Sequence, residues 1–269
     1  MTSSEQWAKG DIEIDRGGGR AAARVQVHSR WDDCDRYSHV NNAAYLALVR
    51  AAHDRAGLPA GELRAIEITF REPVPPDVVV DVDVAVVDGS ESHHRVAYAL
   101  HVDGRPAADV KALWHLSGPV PHVDLPPVDR DAKGKTFQFR HSVRSYEIGA
   151  NGAARPQAVL QWLEHAVFRA ATRAGWRRER LQATGFLTLV VGHHLVLGEP
   201  ALEDDELVIT SRLVGLRRVS GSWHHEIHRP DGALVAADQA RGAFLDLEGR
   251  LRSAPAHLLR DLLAGEPPP

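Results

Sequence analysis

The chain has 269 residues, 43% apolar and 25% charged, with a formal net charge of −4 when its 16 histidines are counted neutral. That length predicts one large domain or two of ordinary size, and the charge balance excludes a basic nucleic-acid binder and an acidic disordered chain. A single cysteine, Cys34, excludes a disulfide scaffold and a cysteine-rich zinc module and fits a reducing, cytoplasmic setting.

Residues 1–20 are polar and glycine-rich, without the apolar core of a signal peptide, and are expected as a flexible tail. Gly17–Gly19 within it lacks a preceding strand and the spacing of a nucleotide loop. Residues 21–118 read as a first domain. Asn42 is positioned to cap a helix whose apolar residues Tyr45, Leu48, Val49, Ala52 and Ala56 recur at helical spacing, and Gly57 ends it. The period then falls to two: Val80, Val82, Val84 and Val86 point one way, with Asp81 and Asp83 opposite, as in a half-buried antiparallel strand. The same aspartates break the apolar run Val78–Val87, so no bilayer span and no membrane partner are expected. Asp103-Gly104 signals a hairpin. Residues 119–135, with Pro119, Pro121, Pro126 and Pro127, read as a linker. A second domain follows over 136–255. There Pro156 suits a first helical turn and Leu160, Leu163, Val167, Ala170 and Ala174 share one face. Residues 256–269 are expected as a C-terminal tail.

The two domains repeat one plan. Arg55-Ala56-Gly57 returns as Arg173-Ala174-Gly175. Glu72-Pro73 with Asp77 returns as Glu199-Pro200 with Asp204, His93-His94 as His224-His225, and Asp103-Gly104 as Asp231-Gly232. Four landmarks in the same order indicate a tandem duplication. The unit is α+β: a short strand, one long helix, then about four antiparallel strands, an order that fits a sheet wrapped around the helix.

Chemistry concentrates in Trp31–Asn42, between the first strand and first helix. Such Asp/Asn/Ser clusters are ordinarily caps and turns. Here, however, His39 lies where capping needs no imidazole, and the equivalent loop Glu147–Pro156 has no histidine and only Glu147 as a carboxylate. One working loop and one structural copy are therefore expected. A helix N-terminus can polarise a carbonyl, a carboxylate can attack an acyl group or activate water, and a histidine can orient the proton.

Asp33-Cys34-Asp35, then Ser38-His39-Val40-Asn41-Asn42 and Tyr45, resemble the D-x-D-x-x-G-H-V-N-N-x-x-Y signature of hotdog-fold acyl thioesterases of the 4-hydroxybenzoyl-CoA thioesterase type, with Ser38 in place of the usual glycine. Arg144-Ser145-Tyr146-Glu147-Ile148-Gly149-Ala150 is similar to the segment opening the first hotdog of plant-type acyl-ACP thioesterases, which are also tandem hotdogs. In those enzymes the H-V-N-N half comes second; here it comes first. The resemblance spans about Ala22 to Pro255 and implies a tandem (double) hotdog whose second domain serves structure or the substrate tunnel. It implies Asp35 as the catalytic carboxylate, as general base or as nucleophile, and His39 as its catalytic partner. Tyr37 stands where the plant-type motif carries a catalytic Asn. Phe70-Arg71-Glu72 resembles the segment carrying a further catalytic Glu, which makes Glu72 a candidate, although Glu199 at the same repeat position speaks equally for a structural role. Tyr37, Val40, Asn41 and Asn42 are expected to contact substrate, with the thioester carbonyl against the N–H groups near Val40–Asn42. Some single-hotdog relatives use a Glu on the central helix; Glu164 of the second helix is the residue here that could join a composite site.

The expected activity is hydrolysis of an acyl-CoA or acyl-ACP thioester, needing no metal or organic cofactor, by a monomer acting as a pseudo-dimer or by a homo-oligomer. A hotdog enoyl-thioester hydratase/dehydratase and a non-catalytic acyl-CoA-binding module are the alternatives; enoyl absorbance and binding without thiol release would identify them. Other features carry blander expectations. Cys34 reads as an inert small residue. The pairs His93-His94, His193-His194 and His224-His225 cannot chelate one ion from opposite strand faces and read as surface histidines. Arg177-Arg178-Glu179-Arg180 reads as a solvated helix end.

Overall fold

The computed structural model describes residues 20–126 and 134–263. Nearly all of the expected N-terminal tail, including the glycine run, and part of the linker lie outside the described residues. The chain divides into two compact units, Met1–Leu125 and Pro126–Pro269.

The first unit runs β1 (Arg20–His28), a 3-10 turn (Trp31–Asp33), a second 3-10 turn (Asn42–Ala44) leading into α1 (Tyr45–Arg55), then β2 (Glu62–Phe70), β3 (Val79–Gly89), β4 (His93–Val102) and β5 (Arg105–His115). Its strands pair antiparallel in the order β1-β3-β4-β5-β2. The second unit runs β6 (Thr136–Ser142), a 3-10 turn (Ser145–Glu147), α2 (Pro156–Arg173), α3 (Arg178–Ala183), β7 (Leu187–Leu197), β8 (Glu206–Arg217), β9 (Ser220–His228), β10 (Leu234–Leu245) and α4 (Ala256–Leu263). Its order, β6-β8-β9-β10-β7, repeats that of the first. Each long helix packs on its own sheet, α1 against β1 and β3, α2 against β6 and β8. This is the antiparallel sheet around one helix that the periodicity predicts.

The alternation in β3 does what its pattern implies. Val80, Val82 and Val84 are buried, each contributing roughly 2 kcal/mol of apolar burial. Asp81 and Asp83 face the other way and hold β1: Arg24 grips Asp83 through two bonds of 2.7 and 2.8 Å, and Gln26 donates to Asp81 at 3.0 Å. The alternation ends at a bulge where Val87 is exposed. Asp103 and Gly104 both adopt positive φ, 51° and 76°, the two-residue turn whose twist suits a hairpin. Both helices end on glycines with positive φ, Gly57 and Gly175; Leu58 N–H reaches back to the His53 carbonyl and Trp176 N–H to that of Ala171.

Three expectations are corrected. The cap is Asn41, not Asn42: its side chain accepts the Ala43 N–H at 3.0 Å, and the helix enters through a 3-10 turn. Residues 256–263 form a helix that buries Leu258 and Leu262, where a tail is expected. His193, His224 and His225 are buried, not surface residues. On α1, His53 lies wholly inside the core, between the Tyr98 hydroxyl (2.7 Å) and the Pro59 carbonyl (3.0 Å), over the Trp114 ring. Burial holds its imidazole below the usual histidine range.

Candidate active site

The loop between β1 and α1 is a tight, fully bonded hairpin. Cys34 and Val40 form an isolated antiparallel bridge, the Asp35 N–H donates to the His39 carbonyl (2.7 Å), and the Ser38 N–H donates to that of Asp35 (3.0 Å). Ser38 sits at φ 59°, the left-handed region that explains why the resembling motif carries glycine there. Asp35 contributes to its own loop: its Oδ1 accepts the N–H of Tyr37 at 2.8 Å and of His39 at 3.3 Å. Asp35, Tyr37 and His39 are all exposed, and Arg36 lies over the Tyr37 ring at 5.4 Å.

Two bonds anchor the hairpin to the helix mouth. The Val40 N–H donates to the Val74 carbonyl (2.8 Å) and the Asn41 N–H to that of Asp33 (2.8 Å). The expectation that N–H groups across Val40–Asn42 face a ligand is thereby narrowed. The first two are engaged, Ala43 and Ala44 donate to Asn41, and the Asn42 N–H is left without a partner among the described residues. Tyr45 lies buried just inside, edge-on to Phe70 with centroids 5.0 Å apart. Burial pushes its hydroxyl up to about 12 against an opposing backbone bond from Val74, so it stays a neutral anchor for the turn after β2. Glu72, in that turn, is half exposed and pairs with Arg105 at 3.3 Å. Cys34 behaves as expected: burial and the neighbouring Asp33, Asp35 and Asp77 raise its thiol, the opposite of an activated nucleophile.

The second unit repeats the backbone bonds of this loop without its Asp, His and Asn. Ile148 and Ala154 form the same bridge as Cys34 and Val40, Gly149 N–H donates to the Ala153 carbonyl (2.8 Å) and Gly152 N–H to that of Gly149 (3.0 Å). Ala154 N–H meets the Ala201 carbonyl and Arg155 N–H that of Glu147, as Val40 meets Val74 and Asn41 meets Asp33. Gly152 takes the positive φ of Ser38, 78°. Superposed in this way, Asp35 becomes Gly149, His39 becomes Ala153, and Asn42, whose N–H is open, becomes Pro156, which has none.

The sheet of the second unit holds a buried polar row that sequence reading missed. Glu164 of α2 lies 3.5 Å from His193 Nε2 on β7, and His193 Nδ1 lies 2.9 Å from Asp238 on β10. Beside them His225 bonds Ser211 at 2.8 Å. His193, Asp238, His225 and Ser211 are all 1% exposed or less. Burial alone would lower His193, but Asp238 and then Glu164 outweigh it and push the imidazole up to about 10; His225, governed by burial, is pushed down to about 4. The strand registers place Val84, Tyr98, Val110 and Ile66 at the matching positions of the first unit. Only the histidine dipeptides hinted at this row, and adjacency in sequence concealed which member of each pair faces inward. Glu164, expected at the substrate, thus has a partner in its own unit. Among the described residues no group of three or more His, Cys, Asp or Glu could hold a metal ion, and no helix is long and apolar enough to cross a membrane.

Comparison with known proteins follows the same division. Residues 19–116 match the family model for the acyl-ACP thioesterase C-terminal domain, and residues 143–262 match that for the thioesterase-like superfamily. The C-terminal-domain model thus falls on the first half, in keeping with the inverted order. No curated protein sequence matches the chain. Among solved structures, a Lactobacillus plantarum protein described as an oleoyl thioesterase is similar with a TM-score of 0.64 at 12% identity, covering 87% of this chain and 97% of that one. An acyl-ACP thioesterase from Bacteroides thetaiotaomicron gives 0.59 at 11% identity (82% and 97% covered), and the 12:0-ACP thioesterase of Umbellularia californica 0.58 at 10% (82% and 93%). At such identities the likeness establishes the fold, a tandem hotdog. With a thioesterase family model on each half, the chain belongs to the hotdog-fold thioesterases and is a thioester hydrolase.

Proposed function

We propose that the protein hydrolyses an acyl thioester borne on acyl carrier protein or coenzyme A, through the Asp35–Asn42 loop alone. The observation that carries this reading is the pair of loops: identical backbone bonding, with Asp35, His39 and the Asn42 N–H in one and Gly149, Ala153 and Pro156 in the other. The backbone bonding of the loop thus persists without those groups, Asn151 Oδ1 accepting from the Ala153 N–H (3.3 Å) as Asp35 Oδ1 does from that of His39. The thioester carbonyl would accept from the Asn42 N–H at the positive end of the helix. Asp35, whose two loop bonds both fall on Oδ1, presents Oδ2 to water as general base or to the acyl carbon as nucleophile, and His39 orients the attacking oxygen. Either route gives free acid and thiol. Tyr37 flanks the entrance, Val40 and Asn41 hold the loop, and Glu72 is a positioning residue for the turn that carries Val74. The acyl-ACP family model supports the carrier-bound substrate, and the cytoplasm is the proposed location.

The test grafts the second loop onto the first. Asp35→Gly, His39→Ala and Asn42→Pro together place at these three positions the residues that the second loop carries in the same backbone conformation. Thiol release from short, long and aromatic acyl groups on either carrier is expected from the wild type, preferentially from acyl carrier protein, and to fall to background in the graft. Release undiminished in a folded graft would move the chemistry elsewhere.

A further inference from the structure

The second unit carries a cleft that the hydrolytic loop does not use. It is about 560 Å³, lies between the end of β6, the Ser145–Glu147 turn and α2, and is lined by Arg140, His141, Arg144, Trp162, His165 and Arg169 among others. A shallower depression of about 230 Å³ continues it along α2 through His165, Arg169 and Arg173.

Its charge is one-sided for a structural reason. The one carboxylate lining it, Glu147, is turned inward and saturated, accepting from the Arg144 N–H at 2.8 Å, the Trp162 indole at 2.7 Å and His141 at 3.2 Å. Burial works against its charge, but those three bonds prevail and hold it below the usual carboxylate range. In the first unit the matching Asp33 neutralises the matching Arg30 through two bonds of 2.7 and 2.8 Å. Lengthened to Glu147, the carboxylate takes the backbone N–H of Arg144 instead. The Arg144 guanidinium, bonded among the described residues only to the Tyr146 hydroxyl (3.2 Å), is left to the cleft.

The other cations are held in place. Arg169 and Arg173 stack over the Phe139 ring at 4.4 and 4.5 Å, with Arg173 also donating to the Gln138 carbonyl at 2.7 Å. Such stacking fixes the guanidinium planes without neutralising them. His165 responds to this field: burial, then Arg169 and His141, lower its imidazole. Three arginines thus border a concavity several times the size of a single phosphate, with Arg173 beside the adjoining depression, over a floor made by Trp162 and His141, whose rings pack 4.4 Å apart.

We propose that this cleft binds a phosphate ester carried on an organic group. Arginine forks match phosphate oxygens in pairs, and the aromatic floor suits the organic remainder. The choice of probe rests on the thioester reading: the phosphate esters tested are coenzyme A, with its nucleotide phosphates, and the phosphopantetheine arm alone.

Calorimetric titration of the full chain with coenzyme A, 4′-phosphopantetheine and pantetheine tests it. Wild type is expected to bind coenzyme A, more weakly as salt rises, and not to bind pantetheine, which lacks phosphate. Arg140→Glu with Arg144→Glu, both at exposed positions, is expected to weaken binding at least tenfold at an unchanged melting temperature; the milder Arg140→Gln with Arg144→Gln is expected to weaken it by less. Phosphopantetheine binding as tightly as coenzyme A assigns the cleft to the arm's phosphate, and coenzyme A alone assigns it to the nucleotide phosphates. Equal binding by wild type and the Glu variant, or no binding of either phosphate ester, overturns the proposal. The loop graft described above is expected to bind coenzyme A like wild type, so failure of the loop reading is read separately.

Discussion

Replacing Asp35 by Asn and by Ala separates a reacting carboxylate from a loop cap, because the structure assigns each substitution a different cost. Asn keeps an oxygen where Oδ1 now accepts from Tyr37 (2.8 Å) and His39 (3.3 Å), so the hairpin persists. Ala removes that acceptor from two exposed N–H groups, which water re-solvates at a cost of about 1 kcal/mol in all. For a chain of this size, that lowers Tm by roughly 2–4 °C. If Asp35 does the chemistry, Asn abolishes the base or nucleophile, and kcat falls about 10³-fold, equivalent to about 4 kcal/mol. The catalytic loss is then large in both variants, whereas the structural loss appears in Ala alone. Thiol release under saturating acyl thioester, with melting curves on the same samples, gives both numbers. An Asn variant turning over within tenfold of wild type, beside an Ala variant that loses activity in step with its melting, would refute the catalytic role and leave Asp35 as a cap.

Two further predictions concern the buried row. Asp238→Asn leaves the His193 imidazolium without its closest counter-charge and is expected to destabilise the protein by about 3–5 kcal/mol, whereas Asp238→Val with His193→Ile, copying the apolar pattern of the first unit, is expected to cost far less; equal losses in urea titrations would show that the pair is not coupled. For pH, His225 is neutral when folded, held down to about 4, and binds a proton on unfolding below about 6.5, so stability drops by about 3 kcal/mol as pH falls from 6.5 to 4. His193, pushed up to about 10, acts at the other end: its contribution is complete below about 6.5 and is lost as pH rises towards 10. His225→Gln is expected to flatten the acid limb of the urea midpoint against pH, and an unchanged limb would sink this assignment.

The duplicated plan, the helices with their glycine stops and the alternating strands were legible because each rests on spacing within a few residues of one another. The loop was legible for the same reason: Asp35, His39 and Asn42 lie within one hairpin, and their absence from the second copy could be read from the letters. The sequence by itself determined two antiparallel sheets, each with one long helix, and which of the two loops carries the Asp and the His. It did not determine where those groups' hydrogen bonds go. That the Val40 and Asn41 N–H groups are engaged by Val74 and Asp33, leaving Asn42's open, depends on a turn more than thirty residues away in the chain. The inward row of Glu164, His193, Ser211, His225 and Asp238 comes from four strands and a helix, and strand register decides which member of a His-His pair joins it. The cationic cleft depends on one extra methylene in Glu147 turning its carboxylate away from the Arg144 guanidinium. Local periodicity is written in neighbouring residues, whereas burial, register and charge pairing arise only when distant segments share one low-dielectric interior, and there the tertiary structure alone decides.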